Sequence, residues 1–108
     1  MNKDHYDEFS QYMWSEVKKV RDAGQKEYAE TGNVFADFES TAKLAGISPE
    51  IVIYTFLNKH IRGIGSYLKN KKKQRDTLDG RIKDAIVYLF LLWAYVDEQD
   101  WRSLDASD

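Results

Sequence analysis

The sequence predicts an all-α fold: one domain of four helices, bundle-like, with a short second helix and a central apolar C-terminal helix. Three observations carry that expectation. Proline occurs once and glycine six times in 108 residues, too few punctuators for a turn-rich β architecture. Apolar residues recur at steps of three and four along long segments, the period of a helix face. The most apolar stretch, IVYLFLLWAYV from Ile86 to Val96, has no polar side at all, as expected of a helix surrounded by protein.

Each helix can be placed in turn. In the first, from about residue 4 to 29, Tyr6, Phe9, Met13, Val17, Val20 and Gly24 form one stripe, and charged residues occupy much of the rest. Gly24 is a weak point or a place of close approach. Thr31-Gly32-Asn33 ends this helix, and Asn33 is the expected N-cap of a second, over 34–45. Val34, Phe35, Phe38, Ala42 and Ala45 give that helix its buried side, and Gly46 suits the left-handed position after its end. The third helix, 49–69, starts with Ser48 as N-cap and Pro49 at the first helical position. Its core side runs Ile53, Phe56, Leu57, His60, Ile64, Leu68. Gly63 and Gly65 lie mid-helix, where glycine costs about 1 kcal/mol against alanine, so a close approach is expected there. After the polar loop KNKKKQR, Asp76 is the expected cap of the fourth helix, 77–98. Residues 99–108 form a tail.

Composition bounds the function. Apolar content of 43% with 14% aromatic excludes a disordered chain. With no cysteine there is no disulfide framework, thiol nucleophile or thiolate-bound metal. A net charge of −2 gives the whole molecule no strong attraction to nucleic acid. The polar start MNKDHYDEFSQ carries no secretory signal. The apolar run of Ile86–Val96 rises only about 16 Å as a helix, half a bilayer core. A soluble, cytoplasmic protein is expected.

Polar residues out of keeping with the packing mark a candidate site. Arg81, Asp84 and Tyr88 share one stripe of the fourth helix. A carboxylate there should meet a cation or face a cleft, because an unpaired buried charge costs several kcal/mol. Lys59 is the candidate cation, on the polar face Thr55, Lys59, Arg62, Ser66 of the third helix. His60 reads as a core residue. The basic run Lys69, Lys71, Lys72, Lys73, Arg75 follows a helix C-terminus, where cations are favoured, and reads as a solvated loop. Glu27 and Glu30, spaced E-x-x-E, share a face and could bind magnesium with Asp84. That arrangement is similar in topology to the MazG-type all-α pyrophosphatases. Arg81, however, stands where that pattern has its leading acid.

The order Lys26-Glu27-Tyr28, Asn33, Phe35, Phe38, Lys59-His60-Ile61-Arg62, Asp84 and Tyr88 resembles the nucleotide modification associated domain family of small, often phage-encoded helical proteins. Ala29 follows the tyrosine where glycine is usual, and Glu27 replaces an aspartate. The resemblance implies a link to nucleotides or modified DNA and a phage origin. It implies a cleft in which Lys59 and Arg62 hold phosphate, Asn33 and Asp84 read polar atoms, and Tyr28 or Tyr88 stacks, with Lys26 at the rim. The leading expectation is a nucleotide-binding protein without catalysis or cofactor. The second is a phage-encoded inhibitor that binds a host defence protein, with Tyr12, Trp14 and Trp101 as contact residues. The third is a magnesium-dependent nucleotide hydrolase. A homo-oligomer is compatible with all three.

Overall fold

The computed structural model describes residues 1–25 and 32–101. Their regular structure is wholly helical: α1 (Lys3–Gln25), α2 (Ala36–Ala45), α3 (Pro49–Asn70) and α4 (Leu78–Glu98). The expected end of the first helix near residue 29 lies outside the described residues. No helix among them is long and apolar enough to cross a membrane.

The helix boundaries follow local chemistry, with two corrections. Ser48 is the N-cap of α3 in extended conformation, with Pro49 next to it, and its carbonyl accepts from the amides of Ile51 and Val52. Gly46 adopts φ 71°, left-handed, and lets the Ile47 amide close on the Ala42 carbonyl. The N-cap of α2, however, is Phe35 rather than Asn33. Asn33 instead accepts from the Phe35 amide through Oδ1 at 3.0 Å, while its own amide donates to the Glu39 carboxylate at 3.4 Å. A side chain that bonds the backbone two residues on builds a turn of its own ahead of the helix. At α4 the cap is Thr77, not Asp76: its Oγ1 accepts from the Gly80 amide at 3.1 Å. A hydrogen bond from Thr77 is also the first cause of the Asp79 carboxyl lying below its ordinary pKa.

The core lies where α2, α3 and α4 meet. Phe35, Phe38, Ala42, Val52, Ile53 and Tyr95 are buried together, with Val34, Tyr88, Leu91 and Leu92 packed against them. Its aromatic rings interlock: Phe35 meets Tyr95 edge-on at 5.3 Å, and Phe38 meets Tyr88 edge-on at 6.3 Å. Helix α1 lies on another side of α4, where Val17 is its one buried residue and Trp14 stacks on Phe90 at 6.3 Å.

The expectation that α4 is enclosed on all sides is not met. Leu89 is 50% exposed and Trp93 69%. The physical reason is that α1, α2 and α3 cover only part of its circumference, so a helix apolar all round keeps one open strip. The expected inner stripes of α1 and α3 are likewise only part covered: Tyr6, Phe9 and Met13 stand exposed, as do Phe56 and Leu68.

The two glycines of α3 differ in what surrounds them. A Cβ on Gly63 would lie 2.5 Å from the Arg81 guanidinium, whereas one on Gly65 meets nothing within 4 Å. Gly65→Ala is therefore expected to stabilise the fold by about 0.5–1 kcal/mol through helix propensity alone. Gly63→Ala should forfeit that gain by displacing Arg81 from its partners. It is expected to fall below Gly65→Ala by about 1–2 kcal/mol in urea denaturation. Equal stability of the two variants would show that Arg81 relocates without loss.

Candidate functional site

The three polar residues of the α4 stripe part company: Arg81 goes to the α3–α4 loop, Asp84 and Tyr88 to a cleft. Arg81 turns toward the α3–α4 loop. Its Nε donates to Gln74 Oε1 at 2.9 Å, and its Nη2 lies 3.6 Å from Asp76 Oδ2. Gln74 in turn donates from Nε2 to the Gly63 carbonyl at 3.0 Å. The glycine therefore serves as a recess for a guanidinium, and the basic loop is pinned through Gln74. Arg81 Nη1 is buried with no hydrogen-bond partner among the described residues.

Asp84, one turn on, faces α3 and a cleft. The titratable group of α3 that meets it is His60, with Nε2 3.9 Å from Asp84 Oδ2. Lys59, the expected partner, makes no ion pair with Asp84 within 4.0 Å. Consecutive helical residues point about 100° apart, so the helix that turns His60 toward Asp84 turns Lys59 away. Lys59 and Arg62 both lie on the exposed side of α3. The separation of 3.9 Å is too long for a hydrogen bond, and it becomes an ion pair only when the imidazole is charged.

His60 is buried, 9% exposed, with Tyr88 stacked on its ring at 5.5 Å. Burial pushes its pKa below the ordinary value. The Asp84 carboxylate opposes that shift, while Arg81 and Lys59 add to it. Its Nδ1 also has no partner among the described residues. At neutral pH the imidazole is therefore uncharged, and the negative charge of Asp84 remains available to the cleft.

The cleft has a volume of about 590 Å³ and lies between the second half of α1 and α4. Val20, Arg21, Gly24 and Gln25 form one wall, Asp84, Val87, Tyr88, Phe90, Leu91 and Ala94 the other, and Val34 closes it toward α2. A Cβ on Gly24 would meet nothing within 4 Å, so its missing side chain keeps this space open. Arg21 Nε and Nη2 lie 3.3 and 3.1 Å from Asp22 Oδ1. Such exposed pairs are worth no more than about 1 kcal/mol, so a bound anion can redirect this guanidinium. Phe56 and His60 already cover part of the Tyr88 ring, and the cleft receives only what they leave open.

Of the site residues expected from sequence, Asp84 and Tyr88 come together in the cleft. Lys59 and Arg62 do not line it. Asn33 is engaged with Glu39 and Phe35 in the corner before α2. Lys26, Tyr28, Glu27 and Glu30 lie outside the described residues, and the magnesium reading rests on the last two. Among the described residues no three His, Asp or Glu side chains are grouped to hold a metal. Arg21 and Gln25 are the cleft residues that sequence reasoning missed. Their only signal is spacing, since both flank Gly24 on the turn that meets α4. Comparison of the chain with protein-family models, with curated proteins and with solved structures gives no match.

The His60 shift has a measurable consequence. A histidine whose folded pKa is depressed takes up its proton more readily when unfolded, so stability rises with pH through that range. The contribution is complete above the unfolded value of about 6.5 and is lost as pH falls below it. The melting temperature of the wild type should thus drop between pH 7.5 and 5. His60→Phe, which cannot titrate but keeps a ring beneath Tyr88, should show a shallower drop. Parallel pH profiles would mean that His60 takes up its proton equally in both states.

Proposed function

We propose that the chain binds a phosphorylated nucleotide, a modified nucleotide included, in the cleft between α1 and α4. The observation that carries this reading is the cleft itself. Its volume of about 590 Å³ falls within the roughly 300–1,000 Å³ typical of small-molecule sites. Its walls are mainly apolar, with one guanidinium, one amide and one carboxylate among them. Those groups divide as a nucleotide requires: Arg21 for phosphate, Gln25 and Asp84 for polar edges of base or sugar, and the apolar wall beside Tyr88 for the base plane. The family resemblance supports the same ligand class, and with it a phage-encoded protein at work in the host cytoplasm. Phosphate binding by Lys59 and Arg62 is not part of this reading, since both lie outside the cleft.

A second reading is favoured by a different observation. Trp14 and Trp93 are 61% and 69% exposed, and aromatics of this kind dominate protein interfaces. An inhibitor of a host defence protein would use them and leave the cleft idle.

Calorimetry with nucleoside mono- and triphosphates, cyclic dinucleotides and modified deoxynucleotides tests the first reading. Binding by at least one is expected, weakened about tenfold or more in Asp84→Asn and in Arg21→Ala, the worth of one charged hydrogen bond. Lys59→Ala and Arg62→Ala should bind as the wild type does. Loss of binding in those two, with none in Asp84→Asn, would move the site to the outer side of α3. Absence of heat with every nucleotide would leave the protein-binding reading in its place.

A further inference from the structure

We propose that the open strip of α4 and the N-terminal half of α1 together form a homodimer interface, in which each copy's α1 arm covers the other's α4. This inference is independent of what the cleft binds. Four observations lead to it.

The first is the surface left uncovered. The chain exposes 8480 Å², against about 6,200 Å² for a compact monomer of its 12.6 kDa mass. The excess of roughly 2,300 Å² compares with about 800 Å² that each partner contributes to a standard stable interface. Among the described residues, Tyr6, Phe9, Leu89 and Trp93 are 56%, 41%, 50% and 69% exposed. The radius of gyration, 16.3 Å, likewise exceeds the roughly 13 Å expected of a folded domain this long.

The second is the pattern on α4. Ile82, Ile86, Leu89 and Trp93 follow one another at steps of four, three and four, the spacing of a helix seam made to meet another helix. Ile82, Leu89 and Trp93 are exposed and Ile86 is half-buried. Among the described residues, α1, α2 and α3 leave Ile82, Leu89 and Trp93 of this strip uncovered.

The third is the pattern on α1. Its stripe packs on α4 through Val17 and continues unbroken to Met13, Phe9 and Tyr6, which are exposed. One helix face is therefore half used within the chain and half unpartnered.

The fourth selects a second copy over a different protein. Each chain carries two unfilled apolar strips, Tyr6–Met13 of about 11 Å and Ile82–Trp93 of about 17 Å along their helices. A two-fold axis lets arm meet strip twice, and so satisfies both deficits at once in a closed assembly. A partner of another kind would have to supply two separate surfaces to do the same.

Light scattering on the full chain after size exclusion, with native mass spectrometry, tests the proposal. The wild type should have twice the 12.6 kDa chain mass. Leu89→Glu/Trp93→Glu and Phe9→Glu/Met13→Glu should each weaken dimerisation by about a hundredfold or more, because two charges would be buried at an interface core. All these side chains are at least 36% exposed in one chain, so far-UV circular dichroism should keep its helical shape. Leu44→Glu, at an exposed position of α2 off both strips, should leave the dimer intact. A wild-type mass of one chain at high micromolar concentration overturns the proposal and leaves the strips to a different protein. A dimer that survives both double substitutions overturns it equally, because its contact surface then lies elsewhere.

Discussion

Helices α2 and α3 meet α4 at the ring of Tyr88, and α1 faces it across the cleft. Phe38 of α2 meets it edge-on, Phe56 of α3 stacks on it at 5.9 Å, His60 stacks on it a turn further along, and the rest of the ring faces the cleft against α1. A large aromatic at this point sets the distance of α4 from its neighbours on two sides. The depth of the cleft is thereby tied to the core packing. A ligand lying against Tyr88 would rest on a ring already held by three others, so little side-chain freedom would be lost on binding.

The polar groups of α4 divide their tasks by helical turn. Arg81, on the first turns, is spent on internal order: with Gln74 and Asp76 it ties the basic loop to α3. Asp84, one turn later, has a neutral imidazole behind it and open space in front. The same geometry explains why the imidazole stays uncharged. The carboxylate at 3.9 Å favours the charged form, but burial and two nearby cations outweigh it. The cleft therefore holds one carboxylate and one loosely held guanidinium. That combination suits a ligand that offers both an anion and hydrogen-bond donors.

Much of this fold is legible in the sequence because its signals are local. Ser48-Pro49 and Gly46 mark helix ends by backbone preference alone, and the structure places helix boundaries there. Gly63 announces a close approach, and the approaching group is Arg81. The burial of His60 follows from its place between Leu57 and Ile64 on one face. Tertiary choices were less legible. Asn33 and Asp76 each have the chemistry of a cap, but a neighbouring residue takes the position while they bond elsewhere. Lys59 lies beside His60 in sequence, and only the rotation of α3 about its axis decides which of the two meets Asp84. The open strip of α4 was illegible because hydropathy reports what a side chain prefers, not whether the chain has enough partners to cover it. Arg21 and Gln25 look like any solvated helix residues until α4 is set against them.

The lopsided attachment of α1 bears on how the chain is made. Helices α2, α3 and α4 pack on one another in the order of synthesis, and their contacts can form as the chain lengthens. Val17, by contrast, finds its cover on α4, some seventy residues downstream. At a synthesis rate of about 5–20 residues per second, that is a delay of roughly 4–14 s. Most of the stability of a protein helix comes from tertiary packing of its apolar face rather than from propensity, and this one displays two tyrosines, a phenylalanine and a tryptophan in its first fourteen residues. Helix α1 is thus synthesised well before the surface that receives Val17. In the interval the apolar face of α1 lacks the cover that α4 later gives it, so the order of synthesis and the order of packing run opposite ways for this one helix.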